Sequence, residues 1–290
     1  AYRDAVRKAL GNLKEHYTGQ GGMCQSGSAD GYADSIESAL TLLSRPSLAG
    51  SALADYAAYY KGIALLRLKR DAEARDVFDA LQKRQPTGYL AIATALGDAE
   101  AAVALGDHAR AMGIYEKLTA ERTVANESML AQQAETARVL GDRLKTAEAL
   151  LRIYYEFPLT DAAIAAAAEL EPLRDIIVRQ GYKLDLGRAL QLYGARRYSD
   201  ARAAFAALQG EVSGDDRELV DLRIAESDFF LQRHAAALDG VRPWTERGSR
   251  QAEARFFQVS ALRGLGRDEE FLAQTQALVR DFPESTWSEE

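Results

Sequence analysis

Cysteine, histidine and proline are scarce in this sequence, and each scarcity closes off a class of protein. One cysteine, Cys24, in 290 residues permits no internal disulfide and leaves the compartment open. The three histidines, His16, His108 and His234, are far apart and form no His-Glu-x-x-His pattern, so no metal or other cofactor is expected. His108 and His234 read as packing residues at the turns they occupy. No apolar run approaches the roughly 18 residues that cross a bilayer. Lys and Arg never cluster into a stripe, and 43 acidic residues outnumber 36 basic ones. Nucleic-acid binding, which rests on neutralising phosphates, is therefore not expected. No Gly-x-Ser-x-Gly elbow exists, and Cys24 has no histidine close by in sequence, so no residue identifies a catalyst.

With 47% hydrophobic residues and only six prolines, the chain reads as extensively helical. Its organising stretch is 55–86. Gly62 and Ala74 stand twelve residues apart on two helices joined at 69–71, Phe78 and Leu81 fill the seam, and Pro86 follows the second helix. The spacing recurs. Second-helix markers fall at Ala74, Ala111, Thr146, Ala201 and Ala237, with a degenerate Phe271. Twelve residues earlier stand Gly62, Ala99, Ala134, Ala189, Ala225 and the exceptional Val259. Four later come Phe78, Tyr115, Leu150, Phe205 and Val241, and three further on Leu81, Leu118, Ile153, Leu208, Trp244 and Leu278. A helix-turn-helix unit of this kind cannot bury its apolar face alone and must stack on copies of itself. The expected fold is all-α, a solenoid or superhelix of about six degenerate repeats.

The repeats resemble the tetratricopeptide family, whose units run to about 34 residues with small residues at two crossing points. Here the markers are separated by 37, 35, 55, 36 and 34 residues. The long step holds an extra segment, 162–180, read as one or two further helices broken at Pro172. The family's large aromatic near the start of each first helix is missing. Residues 1–50 are expected to form a helix pair, 2–17 and 32–43, around a glycine-rich loop at 18–31 that lacks the Lys-Ser or Lys-Thr of a phosphate loop. Residues 51–290 are expected to hold the repeats, with 45–51 a turn, Asp30 a helix cap, and Asp215 or Asp216 capping the helix after the polar loop 211–217. Gly106, Gly141 and Gly266 lie in turns that need a left-handed residue.

Candidate binding residues come from the first helices, whose faces line the inner groove of such solenoids. Glu100, Glu135 and Glu226 share one repeat position, Arg138 follows Glu135 by a turn, and Tyr56 and Tyr59 lie upstream in the first repeat. They describe either a polar, partly acidic groove or a solvated face with weak local ion pairs. Peptide-clamping members of the family carry lysine at a groove position where Tyr59, Leu96 and Ala131 stand here, which argues against a chaperone-tail clamp.

A narrower likeness runs over 55–290. Gly194-Ala195-Arg196-Arg197-Tyr198, Gly214-Asp215-Asp216-Arg217-Glu218-Leu219, Asp281-Phe282-Pro283-Glu284-Ser285 and Tyr154-Tyr155-Glu156-Phe157-Pro158 resemble the helical N-terminal region of bacterial soluble lytic murein transglycosylases. The resemblance implies a periplasmic, non-catalytic scaffold beside a lysozyme-like domain, with peptidoglycan glycan strands or cell-envelope proteins as partners. That catalytic domain does not lie within these residues, and Glu284-Ser285 lacks the Gly-Leu-Met-Gln type segment that follows the family's catalytic pair. The alternative is a tetratricopeptide-type interaction scaffold of the envelope with no enzyme attached. The absence of an initial methionine and of a signal-like stretch reads as a processed or trimmed chain, and Ser285-Thr286-Trp287 as the start of a further helix.

Overall fold

The structure, a computed structural model, describes residues 29–121, 124–178 and 181–290. The expected helix at 2–17 and most of the glycine-rich loop, 18–28, lie outside them. The described chain is helical throughout. It begins with α1 (Ala29–Leu43), the four-residue α2 (Pro46–Ala49), α3 (Ala54–Arg67), α4 (Asp71–Gln82), α5 (Tyr89–Ala104), α6 (His108–Ala120), α7 (Glu127–Val139) and α8 (Arg143–Glu156). It continues with α9 (Asp161–Leu170), α10 (Lys183–Gly194), α11 (Tyr198–Leu208), α12 (Gly214–Phe230), α13 (His234–Val241), α14 (Gln251–Gly264), α15 (Asp268–Asp281) and the short α16 (Thr286–Glu289). Two compact units divide it, Ala1–Ala149 and Leu150–Glu290, the first ending inside α8.

Within each unit the packing is that of a solenoid. Successive helices pack on one another, as in α3 with α4, α4 with α5, α5 with α6 and α6 with α7, or α10 with α11, α11 with α12 and α12 with α13. First helices of successive repeats also touch, α3 with α5 and α12 with α14. The marker residues occupy the seams: Ala74, Phe78, Ala99, Ala111, Ala201, Phe205 and Ala237 are wholly buried. Ile63, Leu65, Phe78, Leu81 and Leu90 make the first unit's main core, joined by Ile36 and Leu40 of α1. In the second unit Leu186, Leu192, Phe205, Leu208 and Val220 play the same part.

The close approach at Gly62 is tighter than spacing alone suggests. A Cβ there would stand 2.5 Å from the Phe78 ring, and one at Gly97 of α5 would overlap the same ring from the other side. Phe78 is thus clamped between glycines of two successive first helices, where even a methyl group does not fit.

All six turns within the repeats close in one way. The residue five before each second-helix marker has positive φ: Lys69 58°, Gly106 76°, Gly141 72°, Arg196 61°, Gln232 63° and Gly266 70°. The amide of each bonds the carbonyl three residues back, and the next amide bonds the carbonyl five back, as in Arg70 N to Leu65 O at 2.9 Å and Arg197 N to Leu192 O at 3.0 Å. These paired bonds satisfy carbonyls that a helix end leaves orphaned. The residue that follows stands just before the second helix and is aspartate or arginine; Arg233 pairs with Asp228 of the helix before it at 3.4 Å. Asp107 and Asp142 accept the amides of Arg110 and Lys145. Arg70, Arg197 and Arg267 instead pair with Glu73, Asp200 and Glu270 three residues on.

Several local expectations are corrected. α1 starts at Ala29, so Asp30 lies inside it and does not cap it. The stretch 45–51 contains α2. α12 starts at Gly214 behind Ser213, and Asp215 and Asp216 stand in its first turn, where their charge favours the helix dipole without capping. The extra segment forms α9, capped by the Thr160 hydroxyl, and runs into a 3₁₀ turn, Glu171–Leu173, at Pro172.

Two stability outcomes follow from this geometry. Arg196→Gly removes a side chain from a left-handed position and should raise the unfolding free energy by about 1 kcal/mol, whereas Gly106→Ala should lower it by about as much. Gly97→Ala should cost about 1–3 kcal/mol, since buried Phe78 has nowhere to move. Urea denaturation of each variant checks both.

Candidate functional site

The first helices of the first unit, α3, α5 and α7, border an open cleft of about 430 Å³. Arg67 projects from α3, Leu96 and Glu100 from α5, and Asn126, Ser128, Met129 and Gln132 from the start of α7. Buried Tyr115 of α6 meets the cleft from below, its hydroxyl donating to Gln132 Oε1 at 2.9 Å. Arg67 Nη1 stands 4.0 Å from Glu100 Oε1, and both side chains are more than a third exposed. Such a pair is held weakly, so both charges remain available to a ligand.

The other predicted residues fall elsewhere. Glu135 and Arg138 form an exposed pair with each other at 2.6 Å, one turn apart on α7. Tyr56 is 47% exposed at the start of α3, but Tyr59 is 4% exposed, turned into the core against Tyr60 and Phe78. Burial likewise removes Glu226 from any solvent-facing surface: it is 0% exposed. Sequence phase places it with Glu100 and Glu135, yet the repeat around it fills the space over its side chain. Leu96 lies at the cleft, while the exposed Ala131 is one residue from it.

Glu226 belongs to a polar network inside the second unit. Arg223 Nη1 donates to Glu226 Oε1 and Oε2 at 2.7 and 2.6 Å and to Glu253 Oε1 at 2.9 Å. The Tyr193 hydroxyl donates to Glu226 Oε2 at 2.6 Å, and the guanidinium stands 5.1 Å from the Tyr193 ring centre. Burial pushes the Glu226 carboxyl up to about 7; the Arg223 cation opposes that rise, and the neighbouring Glu253 charge adds to it. Burial raises the Tyr193 phenol as well, reinforced by Glu226. Burial works against the Arg223 cation, but the two carboxylates outweigh it and its pKa is raised. A carboxyl poised near neutrality often marks catalysis. Here no substrate atom can reach it, and the network ties α10, α12 and α14 together.

A second network serves the first unit. Buried Asp98 accepts from Arg110 Nε at 3.1 Å, Arg110 Nη2 at 2.9 Å and Gln82 Nε2 at 2.9 Å, while Arg110 also pairs with Asp79. The hydrogen bond to Asp98 raises the Arg110 pKa. Sequence reasoning missed both networks, because apart from Arg223 and Glu226 on one helix their partners lie 12 to 33 residues apart on helices whose relative rotation only packing sets.

Among the described residues no group of three or more His, Cys, Asp or Glu is placed to hold a metal, and no helix is long and apolar enough to cross a membrane. Glu284 is exposed, and Ser285 caps α16 by accepting from the Trp287 amide at 3.3 Å. His108 and His234 begin α6 and α13, each with its Nδ1 buried and unbonded, and His234 packs against Phe229.

The architecture is that of a tetratricopeptide-like helical repeat. No protein-family model matches the chain, and no curated protein does. Among solved structures it is similar to a tetratricopeptide repeat protein from Parabacteroides merdae, with 13% identity and a TM-score of 0.44, over 96% of this chain and 91% of that one. It is also similar to the TPR2AB-domain:pHSP90 complex of yeast Sti1, at 14% identity and a TM-score of 0.35, over 82% of this chain and 95% of that one. A third is the APC/C hetero-tetramer Cut9–Hcn1, at 12% identity and a TM-score of 0.34; all of this chain corresponds to 51% of that one.

The buried carboxyl gives a pH dependence with a definite sign. A carboxyl whose folded pKa lies above its ordinary value destabilises the fold when it ionises. Its contribution is therefore complete below about 4.5 and lost as pH rises through about 7. Glu226→Gln should flatten that part of the profile and leave the variant more stable than the parent at pH 8, by on the order of 3 kcal/mol. Thermal melts between pH 4.5 and 8 read the difference; a variant that tracks the parent at every pH sinks the assignment.

Proposed function

We propose that the chain is a protein-interaction scaffold that receives an extended polar segment of a partner across the first-helix face of its first unit. The observation that carries this reading is the open cleft spanning α3, α5 and α7. It presents a cation, Arg67, an anion, Glu100, and the amides of Asn126 and Gln132, with Leu96 and Met129 as apolar contacts. Mixed donors and acceptors suit a backbone and short polar side chains, and a shallow, open shape suits a chain more than a small molecule. Peptides selected on the parent chain should bind Glu100→Lys and Arg67→Glu about tenfold more weakly, with unchanged circular dichroism. Equal affinity for all three proteins would sink the reading.

A finer reading places this scaffold in the periplasm as the non-catalytic helical region of a peptidoglycan lytic transglycosylase, guiding glycan strands or envelope proteins. It rests on the sequence resemblance over 55–290 alone, carried by runs such as Tyr154-Tyr155-Glu156-Phe157-Pro158 and Gly194-Ala195-Arg196-Arg197-Tyr198. Co-sedimentation with isolated peptidoglycan, weakened by joint replacement of Glu100, Glu135 and Arg138 with alanine, supports it. Failure of the parent chain to sediment, or its recovery in the cytosolic fraction, refutes it.

A further inference from the structure

The second unit carries an arginine whose setting differs from its counterpart in the first. Arg188 of α10 stands one residue before the crossing residue Ala189, the position that Asp98 occupies before Ala99. At Asp98 the buried charge is matched by Arg110, which stands one residue before its own marker, Ala111. In the later repeat the signs are exchanged, Arg188 for Asp98 and Asp200 for Arg110, but the pair does not form. Asp200 is drawn off by Arg197, whose Nε donates to its Oδ2 at 2.8 Å.

Arg188 is left with a half-buried guanidinium that has no ion-pair partner among the described residues, and its Nε is buried without a hydrogen-bond partner. It is held in place, its guanidinium carbon 4.0 Å from the centre of the Tyr154 ring. Beside it lies a cleft of about 120 Å³ walled by Tyr154, Asp185, Ala204, Ala207 and Leu208. Contact with the tyrosine ring holds the guanidinium in place beside the cleft, and arginine takes a carboxylate through two parallel bonds from its N–H groups. Alanine and leucine walls suit the methylenes that would carry such a group. Asp185, which accepts from the Tyr155 hydroxyl at 2.9 Å, sets a negative charge in the same wall, a repulsion that falls about twice as hard on a dianion as on a single carboxylate.

We propose that Arg188 and Tyr154 form a receptor for a single carboxylate on a short aliphatic stem, the chemistry of a glutamate side chain, offered by a peptide or by a small free acid. The site lies wholly within the second unit and does not depend on the cleft of the first.

The test uses the full chain labelled with ¹⁵N, with the Arg188 Nε–H resonance assigned through Arg188→Lys. N-acetylglutamate methylamide, a glutamate-containing peptide and inorganic phosphate are titrated at matched ionic strength. Saturable movement of the Arg188 resonance by the carboxylates, at least about tenfold weaker with phosphate, is the expected result. Binding of the peptide well above that of the small amide identifies a peptide source; equal binding identifies a free acid. Ala204→Leu fills the cleft without touching the arginine and should abolish the response while circular dichroism and melting stay those of a folded chain. No saturable movement, phosphate binding as tightly as carboxylate, or an unchanged response in a folded Ala204→Leu variant overturns the proposal.

Discussion

A helix ends with carbonyls that have no partner, and a chain made of many short helices meets this constraint at every turn. Here each of the six intra-repeat turns meets it with the same pair of backbone hydrogen bonds around one left-handed residue. Because the turn geometry is fixed, each second helix leaves its first at a set angle, and small residues such as Ala99 and Ala111 fall opposite each other at the crossing. Packing of the large markers depends on that crossing. Half of the left-handed positions are not glycine, so at Lys69, Arg196 and Gln232 the fold bears a local strain that the packed repeat outweighs.

Charge is handled differently on the surface and in the seams. On the surface, arginine at the start of a second helix pairs with an acid three residues on, a contact that aspartate replaces elsewhere by capping. In the seams two clusters of polar groups are committed to one another. Asp98 with Arg110 and Gln82, and Glu226 with Arg223, Tyr193 and Glu253 around the same guanidinium, join three helices apiece through hydrogen-bonded side chains. Such networks fix which helix faces which, a matter on which apolar packing between alanine-rich surfaces is permissive.

This division between committed and uncommitted charge separates structural residues from those we propose to meet a partner. Glu226 has a perturbed carboxyl and no access; Glu100 and Arg67 have access and only a loose tie to each other. Exposure combined with incomplete pairing, rather than an unusual pKa, is what the first-helix face of the first unit offers to a partner.

The repeat phase was legible because it is written in local chemistry. A small residue every time two helices cross, a large one a turn later, and a polar turn between them are demanded by helix geometry wherever the unit stands, so Ala74, Phe78 and Leu81 could be assigned from spacing, and so could their counterparts. Left-handed turns were expected only at Gly106, Gly141 and Gly266; Lys69, Arg196 and Gln232 take the same conformation at the equivalent positions without a residue type that announces it. The candidate site was legible in part. Glu100 lies at the cleft, but Tyr59 and Glu226 share its helical face by sequence position and are buried. Whether a residue on that face meets solvent depends on the bulk of the neighbouring repeats and on the rotation of each helix about its axis. Those are properties of the packed whole: Phe78 clamped by glycines from two repeats, and Glu226 enclosed by an arginine on its own helix, a tyrosine from the repeat before and a glutamate from the repeat after. Sequence alone determined the repeat and its turns, because short-range sterics and hydrogen bonding fix them; tertiary structure decided which charges were sealed inside, because that depends on residues a whole repeat away.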